Sequence, residues 1–224
     1  MERNKLIIFD MDNTLIHSHL DFPLMKAETL RLLREAGHEP DETLPLTQTM
    51  NIIKYSGKLS SESETRIWRR VDEIECAGLE NIDAEPGIEE VLELLSYSTH
   101  MVALTNTKEE AASACLCKLG LTKWLEYVMG RGGAPQLKPA PDGMLELLAH
   151  YPLLKAADAL AVGDALIDIR AARGAGLRFV AYNRSRAEQW QTGDYKPDLQ
   201  LKSWDESAAK QILALFGDGV TSHG

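Results

Sequence analysis

Long apolar runs are missing from this sequence. No stretch approaches the ~20 apolar residues that a helix needs to cross a membrane, and Asp10 interrupts the short N-terminal run, which therefore reads poorly as a secretory signal. Surplus basic charge is missing too. The 24 Lys and Arg stand against 34 Asp and Glu, for a net charge of −10 at pH 7. Without a dense Lys/Arg run there is no footprint for a nucleic-acid partner. Cysteine is scarce, at 3 residues, which fits a reducing cytoplasm better than a disulfide scaffold. Cys115 and Cys117 make a C-x-C pair in an apparently helical stretch. No second Cys/His pair stands nearby to complete a zinc site, so both read as small packing residues. The glycine patterns of nucleotide loops are also absent, and Gly130, Gly132 and Gly133 read as a turn. The expectation is a cytoplasmic protein with no membrane and no nucleic-acid partner, either a monomer or a homodimer.

What is present is a soluble globular composition, 44% hydrophobic and 26% charged. Lys5–Asp10 (KLIIFD) reads as a buried strand ending in an acid. Helical spacing follows over Met25–Gly37 and Leu59–Gly78, with no clear strand between Leu15 and Asp83. After Glu85-Pro86-Gly87 the pattern alternates. A helix over Ile88–Ser98 precedes a strand over His100–Asn106. Thr107 and Glu110 form the ends of a capping box for a helix that Gly120 closes. LEYVMGRG holds a short strand, and a Pro-rich loop around Lys138 leads into the helical GMLELLAHY. Ala159–Asp164 is a strand, IDIRAARGAG a helix, Leu177–Asn183 a strand, and PDLQL a weak terminal strand. Alternating strands and helices predict a parallel sheet covered on both faces. The helical block before Pro86 breaks that alternation and reads as an insertion.

Four features fall at or just after the C-terminal ends of these strands: Asp10-Met11-Asp12, Thr105-Asn106, Lys138, and Asp164 with Asp168. In open parallel sheets those ends converge on one crevice where ligands bind. Neighbouring carboxylates repel one another and call for a divalent cation. Asp10 and Asp164 offer hard oxygen ligands suited to magnesium. Lys138, the Thr105 hydroxyl and the N–H groups of the helix after Thr107 could attract a phosphate. One carboxylate can then attack phosphorus, while another protonates the leaving oxygen and later activates water. Singly these residues read as solvated acids, a turn threonine and a surface lysine. Their order along the chain is the specific signal.

The runs FDMDNTL, LTNT, LKPAPDG and VGDALIDIRAARGAG resemble the haloacid dehalogenase-like hydrolases, in particular the phosphoglycolate phosphatase-like branch. The resemblance implies a Rossmann-like α/β core over residues 1–15 and 87–224, with an inserted helical cap over 16–86 that opens and closes about hinges near Ile16–His19 and Asp83–Gly87. It implies Asp10 as nucleophile and metal ligand, with Asp12 as general acid/base that also ligates the metal through its carbonyl. Thr105, Asn106 and Lys138 would hold the phosphoryl group, Asp164 would complete a Mg²⁺ site, and Asp168 would orient or join it. The substrate class implied is a small phosphorylated metabolite. Dehalogenases lack an acid at the Asp12 place, so Asp12 favours phosphoryl transfer. Ala165 stands where relatives often carry Ser. Two rivals are a phosphomutase or phosphotransferase, and a phosphorylation-driven signalling module, for which an inserted cap is superfluous. A third is a binding protein that keeps the fold without activity. Outside this set, His17 and His19 are candidate substrate contacts, and Lys54, Lys58, Arg66, Arg69 and Arg70 candidate anion contacts on an otherwise solvated face. Trp68, Trp124, Trp190 and Trp204 read as packing residues.

Overall fold

The computed structural model describes residues 3–55, 57–182 and 195–217. Asn183 and Trp190 lie outside these residues. The chain divides into two compact units, Met1–His17 with Asp83–Gly224, and Ser18–Ile82.

The first unit is built on a six-stranded sheet. Its strands are β1 (Leu6–Phe9), β4 (His100–Lys108), β5 (Tyr127–Arg131), β6 (Ala159–Gly163), β7 (Arg178–Tyr182) and β8 (Leu199–Leu201), in spatial order β5-β4-β1-β6-β7-β8. Every pairing in it is parallel. A parallel sheet is covered on both faces, so its central strands are apolar without interruption. β1 (LIIF) and β6 (ALAVG) are buried at every residue. Helices α4 (Ile88–Ser96), α5 (Glu109–Lys118), α6 (Asp142–Ala149), α7 (Leu166–Gly174) and α8 (Glu206–Leu215) cover the sheet. α4 shows why they do: Ile88, Val91, Leu92 and Leu95 recur at helical spacing and are all buried.

The strand order places β1 between β4 and β6. The chain runs outward from β1 in one direction to β4 and β5, and in the other to β6, β7 and β8. That reversal is the switch point of an open α/β sheet, and the crevice lies beyond the C-terminal ends of β1, β4 and β6.

The second unit contains α1 (Phe22–Glu35), α2 (Leu46–Tyr55) and α3 (Ser61–Gly78). Asp21 caps α1 by accepting the Leu24 N–H at 2.8 Å, and Ser60 caps α3 by accepting the Ser63 N–H at 3.2 Å. Leu32, Leu33, Ile53 and Ile67 form the centre of its core. The exposed sides of α1 and α3 are joined by ion pairs: Arg70 to Glu28 at 2.9 Å and Arg66 to Glu35 at 2.7 Å. Arg66 and Arg70, candidate anion contacts from the sequence, are thus engaged with glutamates of their own unit.

Three details differ from the sequence reading. A two-residue antiparallel ribbon, β2 (Ile16–His17) with β3 (Asp83–Ala84), stands where no strand was expected. α2 and α8 carried no separate signal. Thr107 does not cap α5: β4 runs on through it to Lys108, which holds the N-cap position without a side-chain cap bond. The capping-box pattern was overridden by sheet pairing, and the Thr107 hydroxyl serves the crevice instead. Gly120 does end the helical stretch, with φ of 69° in the left-handed region.

Candidate active site

Asp10 follows β1 directly, and its N–H continues the sheet pairing by donating to the Val162 carbonyl at 2.8 Å. The chain then turns on itself. The N–H groups of Leu15 and Ile16 donate to the Met11 carbonyl at 2.9 and 3.1 Å, and the Asn13 N–H donates to the Ile16 carbonyl at 2.7 Å. The turn demands φ of +58° at Asn13, a conformation that a short polar side chain tolerates. Met11, Leu15 and Ile16 are buried below it. Hydrophobic anchoring thus fixes a loop that bears two acids. Thr14, fully buried, donates its hydroxyl to Asp10 Oδ2 at 3.2 Å.

β4 supplies the opposite wall. The hydroxyls of Thr105 and Thr107 both donate to Asp12 Oδ2, at 3.4 and 3.3 Å, and the Thr107 N–H donates to the Thr105 hydroxyl oxygen at 3.1 Å. Asp12 is therefore held by hydroxyl groups, whereas Asp10 faces an ammonium. The Asn106 amide grips the backbone of Lys138 from both sides: its Nδ2 donates to the Lys138 carbonyl, and its Oδ1 accepts the Lys138 N–H, each at 2.9 Å. In this structure Asn106 thereby places Lys138.

Lys138 is buried, and its ammonium donates to Asp10 Oδ1 at 2.5 Å, Asp168 Oδ1 at 2.7 Å and the Leu104 carbonyl at 3.0 Å. Burial alone would lower its pKa; the Asp10 and Asp168 carboxylates outweigh that and hold it above the usual lysine value. Asp10 is shifted upward. Burial is the main cause, the charges of Asp168, Asp164 and Asp12 add to it, and Lys138 opposes it.

Asp164 follows β6, and Asp168 lies in the first turn of α7. Asp168 Oδ2 accepts the Ala165 N–H at 2.9 Å, which leaves Oδ1 for Lys138. This geometry needs Gly163: a Cβ there would stand 2.6 Å from the Asp168 Cβ and 2.7 Å from its Oδ2. Ligand oxygens of Asp10, Asp164 and Asp168 all lie within 4.8 Å of one another, and all three residues are buried. Three carboxylates set against one ammonium leave negative charge in a buried place, and their hard oxygen donors fit a divalent cation.

The fold thus gathers Asp10, Asp164, Asp168 and Lys138 into one contact cluster. It sets Asp12 and Thr105 together beside it, with Asn106 behind Lys138. The Asp12 carboxylate is not part of the three-acid cluster. Thr14 and the true setting of Thr107 escaped the sequence reading. The signal for Thr14 was its place four residues after Asp10 in the same turn. His17 is exposed, 3.9 Å from Glu85 Oε1. No disulfide links Cys76, Cys115 and Cys117, and among the described residues no helix is long and apolar enough to cross a membrane.

Comparison with known proteins converges with this geometry. Residues 7–182 match the family model of the haloacid dehalogenase-like hydrolases. A phosphoglycolate phosphatase from Cereibacter sphaeroides is 29% identical over 188 residues, covering 79% of this chain and 84% of that protein. A haloacid dehalogenase-like family hydrolase from Streptococcus pneumoniae superposes with a TM-score of 0.63 at 21% identity, over 95% of this chain and 98% of that one. A protein from Bacillus subtilis assigned to the same hydrolases, crystallised with magnesium, superposes with a TM-score of 0.61 at 16% identity, over 96% and 99%. With its motif residues assembled at the switch point of a parallel sheet, the chain belongs to the haloacid dehalogenase-like hydrolases, in the branch that resembles the phosphoglycolate phosphatases.

Proposed function

We propose that this hydrolase is a magnesium-dependent phosphatase that cleaves a small phosphorylated metabolite through an aspartyl-phosphate on Asp10. The observation that carries the reading is the division of labour between two acids two residues apart. Asp10 lies in the charged cluster with Lys138, Asp164 and Asp168, while Asp12 is held apart by two threonine hydroxyls.

Asp10, Asp164 and Asp168 would hold Mg²⁺, with the Asp12 carbonyl as a further donor. The bound cation would supply charge neutralisation for the phosphoryl oxygens and for ionised Asp10. Lys138 and the Thr105 hydroxyl would orient those oxygens. A carboxylate oxygen of Asp10 forms a bond to phosphorus as the phosphorus–oxygen bond to the leaving group breaks. Asp12 gives its proton to the departing oxygen. In the second half Asp12 takes a proton from water, the water oxygen bonds to phosphorus, and the acyl phosphate bond breaks. Asp10 is regenerated and inorganic phosphate released. The inserted unit Ser18–Ile82 would act as a cap that excludes bulk water during transfer. The relatives' name points to phosphoglycolate as the first metabolite to assay.

The test is hydrolysis of p-nitrophenyl phosphate with Mg²⁺, then of a panel of phosphorylated metabolites that includes phosphoglycolate. Chelation should silence turnover and Mg²⁺ restore it. Asp10→Asn, whose amide is a poor nucleophile, should be inactive. Full activity in chelator removes the metal from the proposal, and appreciable activity of Asp10→Asn removes the covalent route. Inorganic phosphate as product supports hydrolysis; a phosphorylated isomer as sole product would make the protein a mutase.

A further inference from the structure

The turn that carries Asp10 and Asp12 is held on its outer side by residues far away in the chain. Trp204 is buried, and its ring stacks on Tyr182 at 4.4 Å between centroids and 13° between planes. Phe9, the residue before Asp10, meets the same ring edge-on at 6.4 Å. The indole Nε1–H donates to the Thr14 carbonyl at 2.9 Å, and the Thr14 hydroxyl donates to Asp10 Oδ2 at 3.2 Å. Next to it, the Glu85 N–H donates to the Leu15 carbonyl at 2.9 Å, and Tyr182 donates its phenol to Glu85 Oε2 at 2.7 Å. Thr14, Glu85, Tyr182 and Trp204 are all buried. Gly87 lets the backbones meet here: a Cβ at that position would stand 2.2 Å from the Trp204 carbonyl oxygen.

Packing alone does not account for this arrangement. A tryptophan needed only to fill space could direct its N–H to any acceptor, yet here it meets the peptide group of Thr14, whose own hydroxyl bonds the Asp10 carboxylate. An Asp10 oxygen must be held in line with phosphorus to react, and small displacements of a nucleophile are costly. We propose that Trp204 is a positioning residue for Asp10, acting through Thr14, with the Tyr182–Glu85 pair fixing the neighbouring peptide of the same turn. The inference rests on the nucleophilic role of Asp10 proposed above.

Trp204→Phe keeps the aromatic ring against Tyr182 and Phe9 and removes the N–H donor. On p-nitrophenyl phosphate with Mg²⁺, kcat should fall about 10-fold with KM within about twofold, because the groups that orient the phosphoryl oxygens are untouched. Thr14→Val should lower kcat as well, and Trp204→Phe should add little in that background, since both act along one path. An unchanged kcat, or an equal loss with and without Thr14, overturns the inference. Should Trp204→Phe fail to fold, site-specific replacement of Trp204 by benzothienylalanine removes the same N–H at nearly constant volume, with the same expectations. A crystal structure of the folded variant gives an answer independent of turnover: Asp10 should have lost its Thr14 hydrogen bond or turned. If the wild-type chain hydrolyses no phosphate ester, the proposed function fails and this structure alone judges Trp204. An Asp10 side chain unmoved in the variant overturns its role.

Discussion

The two units of this chain handle charge in opposite ways. In the sheet-bearing unit, Lys138 is buried with Asp10 and Asp168 at 2.5 and 2.7 Å, and each group depends on the others for its charge. In the helical unit, Glu28, Arg31 and Arg70 pair at 2.9 to 3.0 Å on a solvated surface, where water would serve almost as well. Distances that look alike therefore carry different consequences. Buried pairs are costly to assemble and worse to break, whereas exposed ones contribute little. Chemistry belongs with the first kind, because only there do neighbours shift a group far from its behaviour in water.

Substitutions can break or sharpen this contrast. After the loss of turnover expected for Asp10→Asn, the largest effect is expected at Asp12. Asp12→Asn should slow phosphate ester turnover by ~10²–10⁴-fold, the usual contribution of a positioned acid/base, as read by steady-state kinetics with Mg²⁺. An unchanged rate would strip Asp12 of that role. Next comes Lys138→Met, which leaves Asp10 and Asp168 buried without their ammonium. Urea unfolding in chelator should show a loss of about 3–5 kcal/mol, and part of it should return with Mg²⁺. A loss no larger than for an exposed lysine would erase the contrast between the units. The smallest effect belongs to Glu28, whose carboxyl the hydrogen bonds from Arg31 and Arg70 pull down to about 2 from an ordinary 4.5. A depressed carboxyl contributes stability that is present above pH 4.5 and lost as the pH falls towards 2. Glu28→Gln should flatten that acid limb in a plot of melting temperature against pH and lower the melting temperature at pH 7 by the same small amount, because the amide behaves as the protonated carboxyl does and the group is screened by water. A steep neutral-pH loss would mean that the surface network matters more than its exposure allows.

Much of the site was legible in the sequence because parallel sheets obey a simple rule. Asp10, Thr105 and Asp164 each follow or end a run of apolar residues, and the ends of such runs meet. Lys138 was legible only through its motif, since nothing in a Pro-rich loop reveals that Asn106 will hold its backbone. Thr107 misled because Thr107 and Glu110 carry the letters of a capping box, and pairing between β4 and β5 outweighed that local preference. α2 was missed for a related reason: its Thr, Asn and Ile residues are indifferent helix formers, and packing of Met50 and Ile53 fixes the helix instead. Trp204 read as packing, and it does pack. Its bond to Thr14 joins residues 190 positions apart, a relation that has no period and no spacing to betray it.

The clasp of Lys138 between Asp10 and Asp168 has a consequence for the resting protein. A pocket of acids alone would push its own walls apart. Here a tethered positive group stands among them and offsets part of that repulsion. Uptake of the cation proposed above would then be a local rearrangement of charge in a chamber already formed, with no refolding of the centre.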